Sequence, residues 1–296
     1  MKTIGKPESN SDVINTEPKV LLIGYGWVGQ YMGKYFKTAH YVEGNGIIKR
    51  VSDNEPITSG EAPIYDLAII GTPTPMNYET GQCDTSIVEE VVKKYRNIVK
   101  IFLVKSTVEI GTCEVLESRY GTSVCMSPEY VGETLGHPLL ESRKDAFQII
   151  GGNKNAREEV AQMFMKVLHA SAPILLCSSQ EAEIIKYCEN MWIMRRVDYW
   201  NDVFDVAEAH GESFTTIREG LVLDPRMSRT HSNVYRDNRG WSGKCLPKDM
   251  NALAFKMRQL GKPLPMLEKS IENNVKRRRN INSTEKLIPE KPLWEK

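Results

Sequence analysis

A glycine-rich turn between a short apolar run and a helical pattern is the feature that most limits what this chain can fold into. The run Lys19–Ile23 has the composition of a buried strand, and directly after it come Gly24, Tyr25, Gly26, Trp27, Val28 and Gly29. This order matches GxGxxG, in which the three glycines permit a tight turn, close approach of the backbone to a pyrophosphate, and packing of helix on strand. The following helix start adds N–H groups that suit an anion. The sequence therefore predicts a dinucleotide-binding turn.

Short β-rich runs alternate with helical patterns from Lys19 to Cys177. Several runs, such as Asp66–Gly71 and Ile101–Lys105, are continuously apolar, as expected of strands covered by helices on both faces. We read Ile47–Val51 as the second strand. The alternation predicts an α/β fold with a doubly wound (Rossmann) parallel sheet. The later part, beginning with one long helix over Gln180–His210, predicts an all-helical domain.

Length and composition limit the number of domains and the kinds of partner. A chain of 296 residues suggests about two domains. We expect a disordered arm at 1–17, the dinucleotide-binding domain at 18–178, a helical dimerisation domain at 179–277 and a tail at 278–296. With 39 Lys+Arg against 38 Asp+Glu the charge is nearly balanced, which argues against a nucleic-acid partner.

Targeting and redox signals are also absent from the sequence. No apolar run approaches the roughly 18 residues of a membrane span, and the polar first 18 residues do not read as a signal peptide. The six cysteines lie scattered, without metal-type spacing. We therefore expect reduced thiols, a cytoplasmic protein, no membrane association and no metal site.

An acidic residue after the second strand would bind the adenosine ribose and select NAD over NADP. Asp53 follows the predicted strand Ile47–Val51 and is favoured for this role. Glu43 is nearer to the glycine turn and is the alternative, although it requires a different strand assignment.

Two further strand ends carry small or rigid residues. The third strand runs into Thr72, Pro73 and Thr74, and the fourth runs into Ser106 and Thr107. Ligands of open α/β sheets bind at the carboxyl ends of the strands. We therefore expect both segments to border the cofactor site.

The segment from Gly240 to Asp249 is the most informative part of the second half. Pro247 suits the start of a helix, so Cys245 should lie at the helix N-terminus, where the dipole and Lys248 favour a thiolate. Asp249 lies one turn further on. A nucleophilic cysteine beside a carboxylate indicates covalent catalysis with acid/base help.

Lys186 and Asn190 lie four residues apart on the predicted long helix. They therefore share one helical face. A lysine near an apolar face can stabilise developing negative charge.

These motifs together carry a family resemblance. The strings that carry it, in order, are GYGWVG, TPTP, KSTVEIGT, SPEYVGET, EAEIIKYCEN, WND, DPRMSRTHS and GWSGKCLPKDMNAL. The chain resembles the UDP-glucose/GDP-mannose dehydrogenase family over about residues 19–275. The resemblance implies NAD-dependent, four-electron oxidation of a nucleotide-sugar primary alcohol to a uronate, with UDP-glucose to UDP-glucuronate as the expected case.

The resemblance also implies roles for individual residues. Cys245 would carry a thiohemiacetal and then a thioester. Lys186 and Asn190 would bind substrate and stabilise the oxyanion, Asp249 and Thr107 would handle protons, and Glu129 would bind substrate and assist thioester hydrolysis. The remaining implied contacts are Glu133 and Lys248 with the cofactor, and Arg226, Trp241 and Gly243 with the substrate.

The resemblance further implies a homodimer or higher oligomer built on the long helix, and a sequence that stops short of the family's third, nucleotide-sugar-binding domain. Two other hypotheses stay open. One is a single-step 3-hydroxyacid or 6-phosphogluconate-type dehydrogenase, which would not need Cys245. The other is a non-catalytic NAD-binding regulatory protein.

Overall fold

The fold is built on an eight-stranded sheet. The computed structural model describes residues 17–58, 60, 62–130 and 147–279, and within them the strands are β1 (Val20–Ile23), β2 (His40–Val42), β3 (Ile48–Arg50), β4 (Tyr65–Ile70), β5 (Val99–Val104), β6 (Ser123–Met126), β7 (Gln148–Gly151) and β8 (Ile174–Cys177). The helices are α1 (Trp27–Gly33), α2 (Ser86–Tyr95), α3 (Thr112–Tyr120), α4 (Lys154–Met165), α5 (Ser179–His210), α6 (Phe214–Leu221), α7 (Leu246–Gln259) and α8 (Pro265–Arg279).

The strand order places the glycine turn at the point where the chain reverses its progress across the sheet. The order is β3-β2-β1-β4-β5-β6-β7-β8. β2, β1, β4, β5 and β6 pair in parallel, as do β7 and β8. Two pairings, β2–β3 and β6–β7, are antiparallel, which the alternating sequence pattern does not predict. The predicted doubly wound α/β fold is confirmed, and its switch point lies between β1 and β4.

The central strands are apolar on both faces because both faces are covered. In β1, Val20 and Leu22 belong to one buried cluster, whereas Leu21 and Ile23 belong to the cluster on the opposite face. Alternate residues of a strand point to opposite sides of a sheet. The continuous apolar run therefore reports a strand sandwiched between helices, as expected of a parallel sheet.

The long helix α5 opens the helical part of the chain. Ser178 caps it: its hydroxyl accepts from the Glu181 N–H at 3.1 Å, while the Glu181 carboxylate accepts from the Ser178 N–H at 2.7 Å. Such a capping box stabilises a helix by about 1 kcal/mol. The helix ends at Gly211, whose φ of 69° suits glycine. α5, α7 and α8 enclose a third core containing Tyr187, Met250 and Ile271.

The second parallel strand is not where the sequence pattern predicts it. The predicted strand Ile47–Val51 corresponds to β3, an antiparallel edge strand, and the parallel neighbour of β1 is β2. Arg50 pairs with His40, so the end of β3 lies at the amino end of β2. Residues beyond β3 therefore lie away from the carboxyl ends of the parallel strands.

The two chain ends fall mostly outside the described residues. Residues 1–16 of the expected arm and 280–296 of the expected tail lie outside them. The first two tail residues belong to α8, and Arg278 is buried. In the described part of the chain, no helix is long and apolar enough to cross a membrane.

Candidate active site

The glycines of the turn are needed for contact between backbones. Gly24 has φ of +85°, and a Cβ there would lie 2.9 Å from the Gly71 carbonyl oxygen. A Cβ on Gly29 would lie 2.2 Å from the Gly24 carbonyl oxygen. At Gly26, the residue before α1, a Cβ would meet nothing within 4 Å. The outer glycines thus close the turn, and the middle one leaves open space beside a helix N-terminus, where a pyrophosphate fits.

The loops after β4 and β5 are tied together by side chains. The Ser106 hydroxyl donates to the Thr72 carbonyl at 2.6 Å, and the Thr74 hydroxyl donates to the Thr107 carbonyl at 2.7 Å. These bonds join two neighbouring strand ends beside the switch point. Side-chain hydrogen bonds therefore hold together the two loops that are predicted to border the cofactor. We call these loops, 72–74 and 106–107, the cofactor rim.

One cavity of about 430 Å³ joins the glycine turn to the cysteine segment. Its walls on the sheet side include Trp27, Val28 and the Gly71–Pro75 loop, and its opposite wall includes Cys245 and Lys248. The cavity thus brings together the predicted cofactor turn and the predicted nucleophile. Tyr25 does not line it, because its ring stacks on Tyr41 at 4.0 Å between centroids.

Cys245 lies where the sequence predicts it, at the N-cap of α7. It is an exposed thiol. A helix N-terminus favours a thiolate, and the nearby Lys248 ammonium has the same effect.

A chain of polar contacts runs behind this cavity from α5 to α7. The Lys186 ammonium lies 3.4 Å from the Asn190 side-chain oxygen. The Asn190 amide donates to one Asp249 oxygen at 2.5 Å, and Lys248 donates to the other at 2.6 Å. The predicted residues Lys186, Asn190 and Asp249 are therefore connected. Asp249 itself is fully buried, so it reaches the cavity only through its neighbours.

Cys83 is a member of this group that the sequence pattern does not single out. Its thiol lies 3.9 Å from the Lys248 ammonium and donates to the Thr107 carbonyl at 3.3 Å. Burial raises the pKa of Cys83, with Lys248 opposing the rise. Burial alone lowers the pKa of Lys248, but the Asp249 carboxylate and the two cysteines outweigh it and raise the pKa. Lys248 is therefore held as a cation between Cys83 and Asp249.

A second buried cation lies at the end of β5. Lys105 donates to the Ser127 hydroxyl and to the Gln148 side-chain oxygen, both at 3.1 Å, and its ammonium lies 3.7 Å from Glu129. The neighbouring Tyr130 ring lies 5.1 Å from the Lys186 ammonium. The predicted residue Glu129 thus sits beside the polar chain of α5. A lysine that ends an apolar strand run was the available signal for Lys105.

The structure does not support the preferred ribose acid. Asp53 accepts from Arg50 and from the Glu55 N–H in a turn after β3, at the far end of β2 from the glycine turn. Glu43 directly follows β2, whose last residue, Val42, accepts a hydrogen bond from the Gly24 N–H at 2.9 Å. The strand assignment behind Asp53 is wrong, and the alternative Glu43 occupies the position after the second parallel strand.

Two predicted substrate contacts lie away from the cavity, a third lies beside it in the chain, and one predicted cofactor contact lies outside the described residues. Trp241 is 3% exposed, and its indole donates to Asp198 at 3.0 Å within the helical core. Arg226 is exposed and pairs with Asp224 at 2.6 Å, beside a separate cavity on α5. Gly243, next to the cavity-lining Lys244, has a φ of +85°. Glu133 lies outside the described residues.

The residues present fit a dinucleotide. The Gly26 gap, the N-terminus of α1 and the acidic Glu43 after β2 offer, in order along the site, open backbone for a pyrophosphate and a carboxylate for a ribose. In the described ranges, no cluster of acidic, histidine and cysteine side chains could hold a metal ion.

Comparisons with known proteins agree with this fold. The model of the UDP-glucose/GDP-mannose dehydrogenase family NAD binding domain matches residues 57–169, and the model of that family's central domain matches residues 180–276. The two matches follow each other along most of the chain. The chain belongs to the UDP-glucose/GDP-mannose dehydrogenase family, and its cofactor is NAD.

The similarity to curated relatives covers more of the chain than the two family models do. The chain is 26% identical to UDP-glucose 6-dehydrogenase TuaD of Bacillus subtilis, covering 89% of this chain and 64% of the relative. It is 29% identical to a UDP-glucose 6-dehydrogenase of Campylobacter jejuni, covering 77% and 56%. The chain thus spans between about half and two thirds of the length of these relatives.

Solved structures show the same fold. A UDP-glucose dehydrogenase from Pyrobaculum islandicum matches with a TM-score of 0.75 at 22% identity, covering 93% of this chain and 71% of that one. A 3-hydroxyisobutyrate dehydrogenase from Mycobacterium tuberculosis matches with a TM-score of 0.64 at 13% identity, covering 90% and 95%. The fold alone is therefore shared by dehydrogenases of two substrate classes.

Proposed function

We propose that this chain is an NAD-dependent dehydrogenase that oxidises the primary alcohol of a nucleotide sugar to a carboxylate through covalent intermediates on Cys245. The observation that carries the proposal is the shared cavity, which Cys245 lines together with Trp27 and Val28 of the glycine turn. The names of the relatives favour UDP-glucose as the substrate and UDP-glucuronate as the product.

The covalent route follows from the need to oxidise one carbon twice. Bound NAD⁺ would accept a hydride in each oxidation. After the first oxidation, the Cys245 thiolate adds to the aldehyde carbon and forms a C–S bond, which keeps the aldehyde from escaping. The second oxidation converts this thiohemiacetal to a thioester, which water then hydrolyses.

The polar chain behind the cavity supplies charge and proton handling. We assign Lys186 and Asn190 to the oxyanion that forms when sulfur adds to the aldehyde. Asp249 is enclosed, so we assign proton exchange with the cavity to its partner Lys248, which lines the wall. Thr107 borders the same rim through its contact with Thr74.

Three further assignments concern the cofactor, the assembly and the location of the protein. We assign the adenosine ribose to Glu43, because this carboxylate directly follows β2. We infer a homodimer built on α5, supported by its exposed Trp192 and Tyr199, with Arg226 beside them. We expect the enzyme to act in the cytoplasm, in line with its six thiols.

The test is a screen of UDP- and GDP-sugars with NAD⁺, followed by the ratio of NADH to sugar consumed. Two NADH per sugar are expected, and a ratio of one would contradict the four-electron route. Cys245→Ala should lower turnover at least about 1,000-fold, as loss of a nucleophile does in other covalent enzymes. Cys188→Ala, which removes the other exposed thiol, is the matched control and should leave turnover unchanged.

The screen also separates the two other hypotheses. Full activity of Cys245→Ala on a 3-hydroxyacid would favour the single-step dehydrogenase whose fold the 3-hydroxyisobutyrate enzyme shares. Binding of NAD⁺ without NADH formation from any substrate would favour a regulatory protein.

A further inference from the structure

Lys105 is a buried charge that the covalent route described above does not use. It directly follows β5, at the carboxyl edge of the sheet where the cofactor rim lies. Its side chain is 2% exposed. An ammonium removed from water is costly unless its donors are satisfied and its charge is balanced. The groups around Lys105 therefore indicate the role of its charge.

Two of its contacts are with neutral oxygens. Lys105 donates to the Ser127 hydroxyl, just after β6, and to the Gln148 side chain at the start of β7, each at 3.1 Å. These two bonds tie three strand ends together and aim the ammonium. They do not balance its charge.

The balancing charge comes from Glu129. Its carboxylate lies 3.7 Å from the Lys105 ammonium and is the acidic group within ion-pair distance of Lys105 in the described part of the chain. The other charged groups around them are Lys186, which lies over the Tyr130 ring, and Glu189, which lies 3.3 Å from Lys186. Burial lowers the pKa of Lys105. The nearby Lys186 ammonium lowers the pKa of Lys105 further, whereas Glu129 opposes the decrease. Glu129 is therefore the group that opposes the loss of charge on the buried Lys105.

We propose that Lys105 is a positioning residue that orients the Glu129 carboxylate toward the water that hydrolyses the Cys245 thioester. The inference rests on the proposed function. In the step concerned, the water oxygen forms a bond to the thioester carbon, its proton goes to Glu129, and the C–S bond breaks to release the Cys245 thiolate. No electron is transferred. Lys105 touches neither the water nor the thioester and acts through Glu129.

A positioning role for Lys105 predicts a kinetic result that a general loss of structure does not. Hydrolysis follows both oxidations, so slowing it alone allows two NADH to form quickly at each site before turnover stalls. We therefore measure the pre-steady-state NADH burst and the mass of the intact protein, using the full chain with NAD⁺ and the sugar nucleotide found in the screen. Ser127→Ala is the control, because it removes one hydrogen bond and leaves the Lys105 charge.

Lys105→Met should give a burst of two NADH per site, then a steady rate lowered about 10- to 100-fold. This is less than the roughly 100- to 10,000-fold that a general base contributes, because Glu129 itself remains. An acyl adduct should be found on Cys245. Lys105→Arg should restore the rate to within about 5-fold and remove the burst. Glu129→Gln should give the same burst, and adding Lys105→Met to it should change little, since both changes affect one base.

Other outcomes overturn the proposal. Lys105→Met that behaves as wild type shows that the charge has no role, and a variant that slows the burst itself without an adduct shows a structural one. If Lys105→Met does not fold, Lys105→Gln replaces it, and failure of both to fold shows that the cation serves the fold. A wild-type chain that forms no NADH from any sugar nucleotide overturns the proposed function first, and this is seen before any variant is made.

Discussion

The three glycines of the nucleotide turn face different restrictions, although one pattern describes all of them. A Cβ on Gly29 would collide with the Gly24 carbonyl, whereas a Cβ on Gly26 would point into open space. The restriction at Gly29 is internal to the protein. The restriction at Gly26 arises only when a ligand approaches.

Gly29→Ala should therefore lower stability, and Gly26→Ala should not. The first places a methyl group 2.2 Å from a carbonyl oxygen, so the turn must shift, at a cost of about 1–3 kcal/mol or more. Gly26→Ala should unfold at the wild-type denaturant midpoint yet bind NAD⁺ at least about 10-fold more weakly. Urea unfolding and NAD⁺ titration of both variants check this, and equal stability losses would contradict it.

Single residues also show what the sequence can reveal. Cys245 is recognisable because a proline and a helical pattern follow it, and Lys186 and Asn190 because their spacing is helical. Cys83 carries no such local signal, and Lys105 is marked only by its place at the end of an apolar run. Their partners Lys248 and Glu129 are distant in sequence and meet them only in the fold.

At the scale of the elements, the long helices are the best predicted and the short strands the worst. The pattern over Gln180–His210 repeats often enough to locate α5 within one residue of its start. β2 has three residues, too few for a periodic signal, so the sequence pattern assigns the second-strand position to the edge strand β3. The preference for Asp53 follows from that strand assignment.

The segment that leads to Cys245 is held by an asparagine of α8. The Asn274 side chain accepts from the Trp241 N–H at 2.8 Å and donates to the Trp241 carbonyl at 2.9 Å. Gly240 precedes this contact, and a Cβ there would lie 2.4 Å from the Asn274 oxygen. The glycine is thus required by the asparagine, a relation between two elements that no local pattern shows.

Asn274→Ala should destabilise the protein by about 1–3 kcal/mol, because it leaves the buried Trp241 N–H and carbonyl without these bonds. Chemical denaturation measures the loss. Asn273→Ala, one residue earlier on the same helix and only half-buried, should change stability by less than about 0.5 kcal/mol. Equal effects of the two substitutions would show that the contact with Trp241 contributes nothing.

At the scale of the whole molecule, Glu183 joins the helical part to the sheet part. From α5 it accepts the N–H groups of Gly111 and Cys113 at the start of α3, at 2.5 and 3.0 Å. Burial raises the pKa of Glu183 above its ordinary value of 4.5, with these backbone bonds opposing the rise. The folded protein thus retains this proton at pH values where the unfolded chain has released it.

The contribution of Glu183 to stability should therefore be complete below about pH 4.5 and be lost as the pH rises through the folded-state pKa. Glu183→Gln cannot ionise, so its free energy of unfolding relative to wild type should increase between pH 5 and pH 8. Denaturant unfolding at several pH values checks this. Glu181→Gln is the control: hydrogen bonding to the Ser178 N–H lowers the pKa of Glu181, so its effect belongs below pH 4.5.

The alternation of strands and helices made the overall architecture predictable, since covered parallel strands and a glycine turn allow few arrangements. The two antiparallel pairings were not predictable, because the direction of a strand depends on the path of the chain between strands. The union of the two halves of the site in one cavity also required the fold.

That cavity has one wall from the nucleotide turn and its neighbouring loop, and the other from the N-terminal turn of α7. These walls lie more than 160 residues apart in the chain, as the contact between Cys83 and Lys248 illustrates. Under the proposed function, redesign of coenzyme preference and redesign of the accepted alcohol are therefore separate engineering tasks. With the ribose assigned to Glu43 as proposed, a coenzyme change would begin there, a change of alcohol would begin around Lys244, and libraries built at the two places can be combined.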